Sequence, residues 1–219
     1  MPSILAVSGS PSPTSRTVSA VDHALTWLAD RGHRTAHLAV RDLPAAELLA
    51  GVRNTVAVQE AFEAVANADG VIVATPVYKA AYTGLLKAFL DLLPENALAG
   101  KVVLPLATGG TVGHLLAIDY ALRPVLTALG ADHVLPGRFL LDIDIARSEA
   151  EGVFLAPQTE KRLVETLERF SGALDLRGIG FSAALPQAGT QTGPHTGSQA
   201  DTATGDLILA NGASAAVGR

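Results

Sequence analysis

The chain has 219 residues, 48% hydrophobic and 17% charged, and its 21 acidic against 16 basic side chains leave a net charge of −5. That is the material of one globular α/β domain with room for a tail, and the acidic balance speaks against a nucleic-acid or anionic-membrane surface. With no cysteine, disulfides, thiolate zinc sites, iron–sulfur ligation and thiol catalysis are excluded.

Taken in chain order, a strand is expected over Ser3–Ser8, a helix over Thr17–Ala29, a strand over Arg34–Val40 and a helix over Val56–Asn67. A strand at Gly70–Thr75, a helix at Leu85–Leu93 and a strand at Lys101–Ala107 follow. Then come a helix at His114–Leu129, a strand at His133–Leu141 and a helix at Thr159–Leu174. The runs ILAV, VIVA and VVLPLA are apolar without alternation, as strands buried on both faces are. Val58, Phe62, Val65 and Ala66 recur at helical spacing, with Gln59, Glu60 and Glu63 opposite. Gly32, Gly70, Gly100 and Gly130 punctuate the junctions where a helix is expected to give way to the next strand.

Five β–α units joined by right-handed crossovers make a doubly wound parallel sheet with helices on both faces. With five strands the expected order is 2-1-3-4-5, and ligands then bind outside the carboxyl ends of the strands. This domain is expected to occupy residues 1–177. From Gly178 to Arg219 the chain holds 8 of the 21 glycines and three charges, Asp201, Asp206 and Arg219. A flexible tail is expected there, with Leu207–Leu209 as a short element that could dock. No apolar run approaches the roughly 18 residues of a membrane span, and MPSILAVSGSPSP lacks the basic start of a signal peptide. A cytoplasmic protein is expected.

Three loops fall at the ligand edge of such a sheet. The first, Ser8 to Thr17, offers Ser10, Ser15, Thr17 and Arg16 together with a helix N-terminus, the donors a terminal phosphomonoester needs. It contains neither GxxxxGK[ST] nor GxGxxG, and a Ser/Thr turn that simply caps the helix is the plain alternative. The second, Thr75 to Gly84, puts Pro76, Val77, Tyr78 and Lys79 after a buried strand, where they could wall a flat heteroaromatic ring or pack the loop on the next helix. The third contains Thr108, Gly109, Gly110 and Thr111. It lets a backbone come close to a ligand and favours negative charge on it, or is a glycine-rich turn alone. The three together point to a flavin mononucleotide.

On these residues the chain resembles the NADPH-dependent FMN reductases of the flavodoxin-like fold. Within them it resembles the branch that supplies reduced flavin to alkanesulfonate monooxygenases. The likeness covers about residues 3–140 and is densest from Ala68-Asp69-Gly70 to Leu129. It implies an oxidoreductase that takes hydride from NADPH to flavin N5 and passes reduced FMN to a flavin-dependent monooxygenase, and it implies a homodimer or homotetramer. The family's phosphate-binding positions carry over to Ser10, Ser15 and Thr17. Where the wider family often has an arginine this chain has Ser12, so Arg16 is expected to supply that charge. Pro76 to Lys79 carry over to the loop along the isoalloxazine, and Thr108 to Thr111 to the pyrimidine edge. Val77 and Lys79 stand where the wider family commonly has Glu and Asn. Lys87 and Asp91 are expected to be structural.

Tyr120, in Ile118-Asp119-Tyr120-Ala121, matches the tyrosine that the sulfonate-linked branch carries in a π-bulge at a subunit contact. There it is tied to the use of FMN as a released substrate. The alternatives are a reductase of the same fold that keeps FMN and acts on quinones, azo compounds or metal ions, and a flavin electron carrier or sensor. The scattered histidines make no metal site, and His114 is either a ligand contact or a helix-end residue. Asp142 and Asp144 are given no acid–base role.

Overall fold

A computed structural model describes residues 1–148 and 152–180. Four strands are near where the residues place them: β1 Ser3–Ser8, β2 Arg34–Ala39, β3 Gly70–Pro76 and β4 Val102–Gly109. They lie parallel in the order β2-β1-β3-β4, with the fifth position beyond β4. Alternate residues of each strand point to opposite sides. Leu5, Val7, Val71, Val73 and Val103 enter one core, and Ile4, Ala6, Ile72, Ala74, Leu104 and Leu106 enter the other. Both faces are therefore buried, which is why these strands read as unbroken apolar runs.

Helix α1 (Arg16–Ala29) and the last helix share the second face. The first face is covered by α2 (Ala45–Ala50), α3 (Val56–Ala66), α4 (Gly84–Leu92) and α5 (Arg123–Ala128). Helix α2 was not expected. It follows a 3-10 turn at Val40–Asp42 that ends β2 one residue early, and it buries Leu48. Gly70 stands at the junction of α3 and β3 as the first residue of the strand, where a Cβ would come within 2.7 Å of Phe170.

The expected single strand His133–Leu141 is two short ones, β5 (His133–Val134) and β6 (Arg138–Leu141), both parallel to β4. Leu135 still donates to the Val103 carbonyl at 2.9 Å. Two residues along β4, Pro105 turns the same way and has no N–H to give, and the chain opposite passes through Pro136 and Gly137 before pairing resumes at Arg138. The ladder breaks where the Pro105 donor is missing. Beyond it lies an antiparallel hairpin, β7 (Ile145–Ser148) and β8 (Gly152–Leu155), which was not expected.

The last helix, α6, spans Pro157–Gly180 and so runs past the expected end at Leu174. Thr159 donates to Asp144 at 2.7 Å and Ala156 N–H to the Asp144 carbonyl at 2.9 Å, giving Asp144 a structural task at the start of this helix. The rest of the expected tail, including Leu207–Leu209, lies outside the described residues. Among the described residues no helix is long and apolar enough to cross a membrane.

The stretch expected as one helix, His114–Leu129, is composite. A 3-10 turn covers Val112–His114, a π-turn covers Ile118–Leu122, and only Arg123–Ala128 is α-helical. Pro124 supplies a local cause. In a regular α-helix its ring would collide with the carbonyl of Tyr120, four residues back, and it has no N–H to offer that carbonyl. The π-turn instead sends Arg123 N–H to the Ile118 carbonyl. The Arg123 side chain locks the arrangement, donating to Asp119 and to the carbonyls of Val134 and Leu135 at 3.0–3.1 Å.

Candidate flavin site

The carboxyl ends of β1, β3 and β4 face one edge, and their loops are tied together there. Gly9 N–H donates to the Ala74 carbonyl at 2.8 Å, and Val77 N–H to the Thr108 carbonyl at 2.8 Å. The hydroxyls of Thr17 and Thr108 are hydrogen-bonded at 2.6 Å, joining the first loop to the third. Thr83 has the most partners: its hydroxyl donates to the Gly9 carbonyl at 2.6 Å and caps α4 by accepting from Leu86 N–H. The sequence reading passed over Thr83, although a threonine just before an apolar helix is a capping signal. Gly9 is packed so closely on α4 that a Cβ would lie 2.4 Å from the Leu86 Cβ.

In the first loop Ser10, Ser15 and Thr17 are all buried. Ser15 is the N-cap of α1, its hydroxyl accepting from Val18 N–H at 3.2 Å; the capping reading is thus fulfilled. Arg16 is exposed and lines a polar cleft of about 820 Å³ with Pro13, Thr14, Ser19 and Ile145–Arg147. The second loop is a tight turn. Tyr78 and Ala81 exchange backbone hydrogen bonds, and Lys79 and Ala80 both take positive φ, 50° and 64°. Two non-glycine residues in the left-handed region are strained, and such strain gathers at binding loops. Val77 is buried, whereas Tyr78 is 52% exposed.

In the third loop Thr108 and Gly109 are buried, and Gly110 and Thr111 are exposed. The close approach at Gly109 is to Phe139, whose ring would lie 2.9 Å from an added Cβ; at Gly110 an added Cβ would have a carboxylate oxygen of Asp142 at 4.0 Å. Close by, the Nδ1 of His114 is buried without a hydrogen-bond partner. Buried hydroxyls, an unpartnered imidazole nitrogen and loop N–H groups at one edge form a donor set suited to a phosphate and the carbonyl-rich edge of a flavin. Tyr120 is 78% exposed, among exposed Val112, Leu115 and Leu116. Lys87 and Asp91 form an exposed ion pair on α4 at 2.6 Å, with the hydrogen bond to Asp91 raising the lysine's pKa.

Behind the first loop, His37 on β2 hydrogen-bonds the buried Ser8 hydroxyl at 2.8 Å and faces Asp22 at 3.7 Å. Asp22 and Asp42 pull its pKa up, but burial outweighs them, helped by Arg41, and holds it below the ordinary histidine value. The folded chain therefore takes up a proton less readily than the unfolded one, so stability should fall as the pH drops below about 6.5. We expect acidification from about pH 6.5 to 5 to lower the melting temperature of wild type more than that of His37→Gln. Parallel curves would show that His37 does not contribute.

A sequence profile of the NADPH-dependent FMN reductase family matches residues 2–145. An FMN reductase (NADPH) of Pseudomonas putida is 47% identical over 175 residues, 80% of this chain and 89% of that protein. One from Escherichia coli is 45% identical over 176 residues, 80% of this chain and 92% of that protein. Among solved structures, the apo form of the NADH:FMN oxidoreductase EMOB superposes with a TM-score of 0.71 at 44% identity. It covers 78% of this chain and 88% of that one.

Proposed function

The chain belongs to the NADPH-dependent FMN reductase family, and we propose that it uses FMN as a released substrate, handing reduced FMN to a flavin-dependent monooxygenase. It is an oxidoreductase of FMN and NADPH, and the nicotinamide supplies the hydride. The protein's part is to bind and orient. Ser10, Ser15, Thr17 and Arg16 hold the phosphate. Pro76, Val77, Tyr78 and Lys79 wall the ring, and the N–H groups of Thr108 to Thr111 meet its pyrimidine edge, where negative charge grows on reduction.

The observation that carries the released-substrate reading is the π-turn at Ile118–Leu122 with Tyr120 standing out of it. A helix irregularity with an exposed tyrosine beside the ring loops is a device for function more than for packing. The exposed Val112, Leu115, Leu116 and Tyr120 also support a homodimer or homotetramer, since such a patch is normally covered. Sulfonate desulfonation is the proposed setting, supported by the residue match from Ala68 to Leu129.

Gel filtration followed by turnover tests the reading. A colourless protein that oxidises NADPH only with added FMN is expected; one that keeps its flavin and passes electrons to quinones would overturn it. The phosphate loop has its own test. Ser15→Ala together with Arg16→Ala should weaken FMN much more than riboflavin, at about 1.5–3 kcal/mol for each charge-assisted contact. Equal weakening of both flavins would place the phosphate elsewhere.

A further inference from the structure

The first loop has a partner that its own residues do not announce. Arg41, in the 3-10 turn after β2, donates from Nη1 to the Ser12 carbonyl, 29 residues away in sequence. Its side chain is only 25% exposed, and its Nε reaches Asp42 at 3.4 Å. The loop's internal hydrogen bonds are long: Ser12 N–H to the Ser10 hydroxyl at 3.4 Å, Thr14 N–H to the Ser12 hydroxyl at 3.3 Å, and the two hydroxyls of Ser12 and Thr14 at 3.4 Å. Among the described residues, Arg41 provides the one side-chain hydrogen bond to the Ser12 backbone from outside the loop.

The peptide it holds joins Ser12 to Pro13 and so has a carbonyl but no N–H. Such a peptide cannot donate to an anion, and with its oxygen turned inward it would repel one. A guanidinium on that oxygen turns the repelling dipole aside and adds a positive charge behind the loop. Arg16 is exposed on the outer cleft, whereas Arg41 is partly buried behind the loop, where its field is less screened.

We propose that Arg41 is the specificity-determining cation of this loop, holding the Ser12 carbonyl and setting the preference for a phosphorylated over a dephosphorylated flavin. This rests on the reading that the loop holds the FMN phosphate. It makes Arg41 a positioning residue that acts on the ligand through the loop and through its charge.

Fluorescence titrations of FMN and riboflavin with wild type, Arg41→Gln, Arg41→Lys and Ser15→Ala decide the matter. Arg41→Gln keeps a donor but removes the charge; it should weaken FMN about tenfold and riboflavin less than about twofold, and flatten the salt dependence of FMN binding. Arg41→Lys should retain most of the preference. If Ser15→Ala discriminates between the flavins while Arg41→Gln does not, the loop holds the phosphate without Arg41 and the proposal fails. If neither discriminates, the loop reading itself fails and takes the proposal with it. Should Arg41→Gln not fold, Arg41→Lys carries the test: a kept preference supports the role, and a lost one at unchanged melting temperature overturns it.

Discussion

Gly9→Ala should unfold at a markedly lower temperature and lose most of its FMN turnover. The new methyl would sit 2.4 Å from the Leu86 Cβ, 3.0 Å from the Thr83 hydroxyl and 3.1 Å from the Leu86 Cα. Neither Cβ nor Cα belongs to the free end of a side chain, so the loop and α4 have to part. Overpacking of this kind costs about 1–3 kcal/mol, and each kcal/mol lowers the melting temperature of a domain this size by roughly 2–4 °C. Function should suffer more than stability. Parting the elements stretches the Thr83 bond to the Gly9 carbonyl and moves the backbone just before Ser10. The expected signature is a raised KM for FMN along with the lower melting temperature. A variant with wild-type melting and wild-type KM would show that α4 yields easily and that the loop is not held by this contact.

How far the sequence could be read depended on whether the cause of a feature was local. The strand β1 was legible because Ile4, Leu5, Ala6 and Val7 feed both cores in turn. The three loops at the carboxyl edge were legible because topology selects them. The split of the fifth strand was not, since its cause, Pro105, sits on the neighbouring strand. Arg41 was invisible for the same reason: its partner is 29 residues distant, and an arginine after a strand has no local signature. The β7–β8 hairpin was missed because its strands are short and one, Ile145–Ser148, carries Arg147 amid small residues. The π-turn was anticipated only through family resemblance, although Pro124 gives it a local physical cause. A proline at that place in a helical pattern signals a kink or a break, and not which residue the irregularity will present.

Tyr120 is the residue so presented, and Tyr120→Ala should turn a colourless protein yellow. Its ring is 78% exposed and sits in the π-turn, flanked by exposed Leu115 and Leu116. If that ring belongs to a subunit contact beside the flavin, removing it should loosen the contact and let FMN stay. Turnover with free FMN and NADPH should then fall by about tenfold or more, a change of ~1.4 kcal/mol in the release step, because the cycle needs oxidised flavin to enter and reduced flavin to leave. The fold should tolerate the change: an exposed side chain contributes little burial, and Arg123 still ties the turn to Val134 and Leu135. Melting temperature should therefore stay close to wild type while colour and rate both move. Tyr120→Phe separates ring from hydroxyl and should remain colourless if stacking is what matters. A colourless Tyr120→Ala protein with unchanged turnover would reduce the tyrosine to surface packing and leave the π-turn as a consequence of Pro124 alone.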